Sequence, residues 1–282
     1  MIMTGRSATL DNNSSYHLQA LDLLVIMNFS FTVLGFVVAL LVAMTGVGGG
    51  SLMAPVLILG LHVPPAVAVG TDLLYTAVTR AGALWVYARQ GQVRWSLAGQ
   101  MLAGSLPAAA ITLAVLWLVR ADARHLDSLT KIGLSIALAS SATAILLRER
   151  IGGLITRDDA PVNSALRDFM PIGAGALIGV LVSLSSVGAG AIGVTVLLIL
   201  FPWVNARHLV GTDLAHGVVL ALVTGLGHMF VAKVDFPLLG QLLLGTLPGI
   251  YVGTKLTGLV SEMTLRRTIA FLLLGVAVKL VV

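Results

Sequence analysis

The longest stretch of this chain without Asp, Glu, Lys or Arg runs from Leu23 to Thr71, 49 positions. Further apolar stretches follow. Arg94 and Arg120 bracket 25 uncharged residues, Lys131 and Arg148 bracket 16, Asp213 and Lys233 bracket 19, and Asp235 and Lys255 bracket 19. Each is near the roughly 20 residues that a helix needs to cross a bilayer, so the pattern predicts spanning helices. Polar segments separate them: "ARQGQVRW" (88–95), "RADARHLDSLTK" (120–131) and "RERIGGLITRDDAPVNSALRD" (148–168). The last contains Gly, Pro and mixed charge and reads as a central linker.

The first apolar stretch is interrupted by "MTGVGGGSLMAP" (44–55). Glycine inside a helix costs roughly 1 kcal/mol relative to alanine, and in lipid every freed backbone group needs a partner. The interruption therefore predicts a broken helix whose second part, Ser51 to Leu61, spans only about half the hydrocarbon thickness. A matching break precedes Ala191 to Phe201.

The two breaks belong to two copies of one unit. "VGTDLL" (69–74) recurs as "VGTDLA" (210–215), and "GQMLAGSLP" (99–107) as "GQLLLGTLP" (240–248), both at an offset of 141; "VGGGS" (47–51) matches "VGAGA" (187–191) at 140. Three matches in order at a shared offset indicate duplication. The chain divides into a polar tail (1–22), a first transmembrane repeat (23–147), a cytoplasmic linker (148–168) and a second repeat (169–282). Each repeat is expected to hold a glycine-broken helix pair that dips in and returns, followed by three spanning helices. An odd number of crossings inverts the second copy. Inversion places ten Lys and Arg on the cytoplasmic side against six outside, with Arg80 set apart; parallel halves give nine against seven.

Composition agrees with this all-α polytopic membrane protein: 57% hydrophobic residues, 10% charged residues and a mean hydropathy of +1.00. A pI near 10 reads as positive-inside orientation rather than nucleic-acid binding. With no cysteine, disulfides and thiolate metal sites are excluded. No cofactor is implied. Residues 1–22 lack the charged head and small-residue exit of a cleavable signal.

The chemistry gathers at the breaks. A glycine turn that starts a short helix at membrane depth offers unpaired N–H groups and the positive end of a helix dipole, which suits an anion. Gly48, Gly49, Gly50 and Ser51 are the candidates in one half, and Ser186, Gly188, Ala189 and Gly190 in the other; the alternative is that these glycines only permit close packing. Arg80 lies mid-helix, where a permanent charge is costly, and its forked donors fit an oxyanion. Its alternative is an ion pair; Asp72, about 12 Å along the helix axis, is a poor partner, whereas Asp213 from the other half is a candidate. Asp72 and Asp213, each after a threonine (Thr71, Thr212), either cap their helices or carry a proton. Tyr75 and His216 are equivalent by offset, as are Tyr87 and His228. Tyr75, His216 and His228 are the candidates for coupling to a proton, or else they are packing residues. Trp85, Trp95, Trp117 and Trp203 read as interfacial anchors.

"TGVGGGSLMAPVLI", "VGTDLL", "VGTDLAHGVVLALVTGLGH" and the paired "GQxLxGxLP" resemble the TauE/SafE family, the sulfite exporter group of membrane permeases. The resemblance covers roughly Leu34 to the C-terminus. It implies a multi-pass carrier of small sulfur-containing anions such as sulfite, thiosulfate or sulfonates in a bacterial cytoplasmic membrane, with the anion held at midplane between the glycine turns. Many relatives have Gly-Thr-Ser where this chain has Gly-Thr-Asp, which makes Asp72, Asp213 and Arg80 the source of any subgroup specificity. A channel would share these features. An intramembrane hydrolase built from Ser183, Ser185 or Ser186 with Asp213 and His216 lacks the nucleophile-elbow pattern, so the chain is read as a transporter and not as an enzyme.

Overall fold

A computed structural model describes residues 29–41, 52–154, 164–188, 190–232, 234–256 and 262–281. Among these the secondary structure is entirely helical. The elements are α1 (Phe29–Leu41), α2 (Met53–Leu61), α3 (Pro65–Arg89), α4 (Trp95–Val119), α5 (Ala123–Leu154), α6 (Ser164–Ser185), α7 (Ala191–Leu200), α8 (Ala206–Val231), α9 (Phe236–Leu256) and α10 (Glu262–Val281). Four are long and apolar enough to cross a membrane: α4, Arg124–Leu147 of α5, α8 and Phe236–Gly253 of α9. α3, with 25 residues, has the length as well. It carries Asp72 and Arg80, which lower its apolarity and are both buried.

The expected linker is narrower than its polarity suggests. Helix α5 continues to Leu154 and α6 already begins at Ser164. Charged residues end a membrane crossing without ending a helix, because Arg, Glu and Leu are all good helix formers.

The two short helices have 9 and 10 residues, close to the expected lengths and to half of a ~30 Å hydrocarbon core. α2 ends where His62 turns left-handed at φ 54°, and Pro65 opens α3. The α6–α7 break turns on positive φ at Ser186 (61°), Gly188 (128°) and Gly190 (117°). A Cβ at Gly188 would meet nothing nearer than 3.6 Å. Glycine is therefore needed there for its backbone conformation rather than for packing. Gly48, Gly49, Gly50, Ser51 and Ala189 lie outside the described residues.

The interhelical contacts repeat with the sequence. Along α4 and α6, a Cβ on Gly104 would run into the carbonyl of Ile172, and one on Gly175 into that of Met101. Along α9 and α1, Gly245 stands in the same relation to Thr32, and Gly35 to Leu242. The repeat offsets convert one set into the other, so the first helix of each half packs on a long helix of the opposite half. Hydrogen bonds obey the same exchange: Arg94 N–H donates to Thr212 Oγ1 (3.0 Å) and Asp235 N–H to Thr71 Oγ1 (3.2 Å).

These pairings also give directions. Gly70 meets His228, Gly225 meets Leu73 and Leu74, and Gly211 meets Tyr87, so α3 and its repeat equivalent α8 run antiparallel. Ser105 meets His216 and Leu113 meets Gly227, so α4 and α8 run parallel; Gly175 meets Met101 and Gly179 meets Ser105, so α4 and α6 do as well. Thus α6 and α8 start at the same end of the bundle. Only residues 201–205 separate α7 from α8, so α7 returns to the end from which α6 came.

Tyr75, Met53, Leu57, Met101, Leu138, Ile178 and Leu197 are enclosed in the core, while Phe230, Leu118 and Leu247 are about 70% exposed. A surface this apolar suits lipid. At the helix ends, Arg89 lies over Trp85 (3.9 Å), Arg120 over Trp117 (4.6 Å) and Lys255 over Tyr251 (4.3 Å). Such pairs belong at a membrane–water interface, where the ring is half buried and the cation is wet.

Candidate functional site

Among the described residues only three side chains of Asp, Glu, Lys or Arg are buried: Asp72, Arg80 and Asp213. Their grouping follows from the antiparallel α3–α8 pair, which brings the second half of α3 beside the first half of α8. Arg80 Nη1 approaches Asp213 Oδ2 at 3.5 Å, with 4% and 2% of the side chains exposed. The partner anticipated from the opposite half is the one found.

Neither aspartate caps its own helix. Asp72 and Asp213 are each the eighth residue of α3 and α8, since those helices begin earlier, at Pro65 after Pro64 and at Ala206 after Asn205. Asn205 is the cap of α8, its side chain accepting from Arg207 N–H at 2.9 Å. The carboxylates turn instead to the short helices. The Asp72 carboxyl lies beside the backbone N–H of Ala54, the second residue of α2. Asp213 Oδ1 lies against Gly193, in the first turn of α7, where a Cβ would overlap it. A carboxylate at a helix N-terminus gains from the unpaired amides and the dipole.

The second glycine turn reaches the same place. Ser186 lies beside the Asp72 carboxyl, yet Ser186 Oγ and Asp72 Oδ2 make no hydrogen bond among the described residues. Thr76 Oγ1 donates to the other carboxyl oxygen, Oδ1, at 3.4 Å. Two cross-half contacts therefore define the centre, Ser186 with Asp72 and Arg80 with Asp213.

A ring of paired hydroxyls surrounds it. His216, one turn along α8 from Asp213, bonds through Nε2 to Ser105 Oγ at 3.0 Å. Its repeat equivalent Tyr75 reaches Thr246 Oγ1 at 2.8 Å. Thr246 donates to Leu242 O at 2.7 Å, so the tyrosine is the donor in that pair. Ser105 and Thr246 are themselves equivalent by offset. They were not singled out in the sequence, although a hydroxyl stands at the same place in "GQMLAGSLP" and "GQLLLGTLP".

Other candidates have different partners. Thr71 and Thr212 accept from loop amides at opposite ends of the bundle. His228 lies twelve residues beyond His216, about 18 Å along the helix, and donates to Ser183 O at 2.8 Å. The hydroxyls of Ser183 and Ser185 donate to the carbonyls of Gly179 and Leu181 in their own helix. Neither serine bonds to His216.

An apolar exterior, long helices exchanged between two related halves and three buried charges beside half-length helices define a polytopic membrane protein of the transporter class. The chain belongs to the sulfite exporter TauE/SafE family, whose model matches residues 31–280. It is similar to the probable membrane transporter protein YjnA of Bacillus subtilis, 31% identical over 90% of this chain and all of that one. It is also similar to the probable membrane transporter protein YdhB of the same organism, 29% identical over 83% of this chain and 92% of that one. No solved structure matches. The protein is a multi-pass membrane transporter.

Proposed function

We propose that this transporter carries small sulfur-containing anions, such as sulfite, thiosulfate or sulfonates, and binds them at the bilayer midplane between its two halves. The observation that carries this reading is the buried Arg80, a permanent cation on a spanning helix, held by a carboxylate from the opposite half. Charge at membrane depth costs several kcal/mol and marks a substrate path. A guanidinium offers the forked donors that a sulfur oxyanion accepts. The name of the family points to the same substrate class.

In this reading the positive ends of α2 and α7 hold Asp72 and Asp213 in place, and Arg80 supplies the attraction for the anion. The two halves are inverted across the membrane. Supporting this are the antiparallel α3 and α8 and the exchanged contacts, since a twofold axis that reverses a spanning helix lies in the membrane plane. The arginine-rich loop 88–95 and the linker then face the cytoplasm.

The test is ligand-dependent stability of the protein in detergent. Sulfite, thiosulfate, sulfoacetate, taurine, sulfate and a carboxylate panel are compared, because a ligand of the folded state raises the melting temperature. Stabilisation by at least one sulfur oxyanion and by no carboxylate is expected. A carboxylate-only response would transfer the protein to another substrate class.

A further inference from the structure

We infer that Asp213 is the proton-carrying group of the transport cycle, and that anion and proton binding are coupled because the anion and the Asp213 carboxylate compete for Arg80. The inference rests on the substrate reading above and adds the coupled ion and its site.

Arg80 and Asp213 form a buried pair, +1 against −1, which is neutral before any substrate arrives. Adding an anion to a neutral pair enclosed by protein and lipid leaves one negative charge uncompensated and costs the anion its hydration. The arginine is already engaged by Asp213 at 3.5 Å. An oxyanion that takes the guanidinium fork must displace that carboxylate.

Losing the guanidinium raises the cost of the buried charge on Asp213, and binding one proton removes that cost. In the step, the ion pair between Arg80 and Asp213 gives way to one between Arg80 and the anion. The Asp213 carboxylate takes a proton delivered from water on the open side and becomes a neutral acid. The net charge of the centre is then the same before and after a monoanion binds. On release the proton leaves and Asp213 returns to Arg80.

The surroundings single out Asp213. Asp213 is the carboxylate that forms the ion pair with Arg80, whereas Asp72 accepts from Thr76 Oγ1. From α3, the titratable or charged groups of the centre are Asp72, Tyr75 and Arg80. From α8 itself there is His216, whose Nε2 is committed to Ser105 and whose Nδ1 has no partner among the described residues. α7 presents Gly193, and α4 presents Ser105, neither of which carries charge. Residues 42–51 contain no titratable side chain. His216, at i+3 from Asp213, lies on the same helix face.

The test is calorimetric binding of thiosulfate and methanesulfonate to the full chain in detergent, between about pH 5 and 8. Both probes stay fully ionised over that range, so any proton taken up belongs to the protein. Titrations in two buffers of different ionisation enthalpy count the protons. The expected result for the parent is about one proton taken up per methanesulfonate bound, and an affinity that falls up to about tenfold per pH unit towards the alkaline end. Asp213→Asn should bind with no proton uptake and a flat pH profile, whereas Asp72→Asn should keep the coupling. An infrared difference spectrum of the parent, which needs no variant, should show a protonated-carboxyl band appearing with the anion. Binding by the parent without proton uptake or that band overturns the coupling and leaves the substrate reading intact. Uptake retained in Asp213→Asn, or lost only in Asp72→Asn, overturns the assignment to Asp213. Failure of the parent to bind either probe or sulfite overturns the substrate reading and the coupling with it.

Discussion

Arg80 from the first half of the chain and Asp213 from the second meet at 3.5 Å, where almost no solvent reaches either side chain. Removing one member of a buried pair leaves the other unneutralised, at a cost of about 3–5 kcal/mol. Arg80→Ala should therefore lower the thermal stability of the purified protein, and adding Asp213→Asn should restore much of the loss. Equal stability of the single and double variants would show that the pair is not coupled.

Arg80→Lys keeps the charge and loses the fork. If the guanidinium holds the anion, affinity for the best sulfur oxyanion should weaken by about 1–2 kcal/mol, roughly tenfold or more. Equilibrium binding by calorimetry measures this. Unchanged affinity in Arg80→Lys would mean that the arginine acts only as a point charge.

The paired hydroxyls make a separate prediction. Ser105→Ala leaves His216 Nε2 buried without its partner, and Thr246→Val does the same to the Tyr75 hydroxyl. Each should destabilise the protein by about 1–3 kcal/mol. Thermal unfolding in detergent reads the effect, and two neutral substitutions would reduce these contacts to incidental ones.

Much of this was legible in the chain. Charged residues bracket α4 and α9 because a charge is costly inside the hydrocarbon, and the short α2 and α7 follow from glycine breaks too close to the next turn for a full crossing. Arg80 stood out as a cation mid-helix, with Asp213 among its candidate partners. What could not be read was which helix end each aspartate serves. Two turns into α3, Asp72 meets the Ala54 amide only because α2 packs beside α3, and that packing is tertiary. Thr71 and Thr212 share the Gly-Thr-Asp motif with the aspartates, yet neighbouring residues of a helix point about 100° apart. Their hydroxyls accordingly meet loop amides at the bundle ends.

The exchanged packing supplies its own control. Gly104→Ala and Gly245→Ala each place a Cβ into a backbone carbonyl of the facing helix, whereas a Cβ at Gly99 or Gly240 meets nothing within 4 Å. The first two should lose stability, and Gly99→Ala and Gly240→Ala should be neutral or gain up to about 1 kcal/mol. Melting temperatures of the four variants test this. The same response from all four would remove the close helix contacts as the reason for Gly104 and Gly245.

Inversion of the halves predicts opposite exposure of equivalent loops. A single cysteine at Gln90 should react with an impermeant reagent only after the membrane is opened, and one at Lys233 should react in intact cells. Labelling of both from the same side would rule out inverted repeats.

The most direct measurement is counterflow in proteoliposomes. Vesicles loaded with unlabelled thiosulfate or sulfite and diluted into a trace of the radiolabelled anion should accumulate label transiently with the parent protein, and should not with Arg80→Ala reconstituted to the same density. Accumulation by Arg80→Ala equal to that of the parent would contradict a carrier that binds its anion at Arg80.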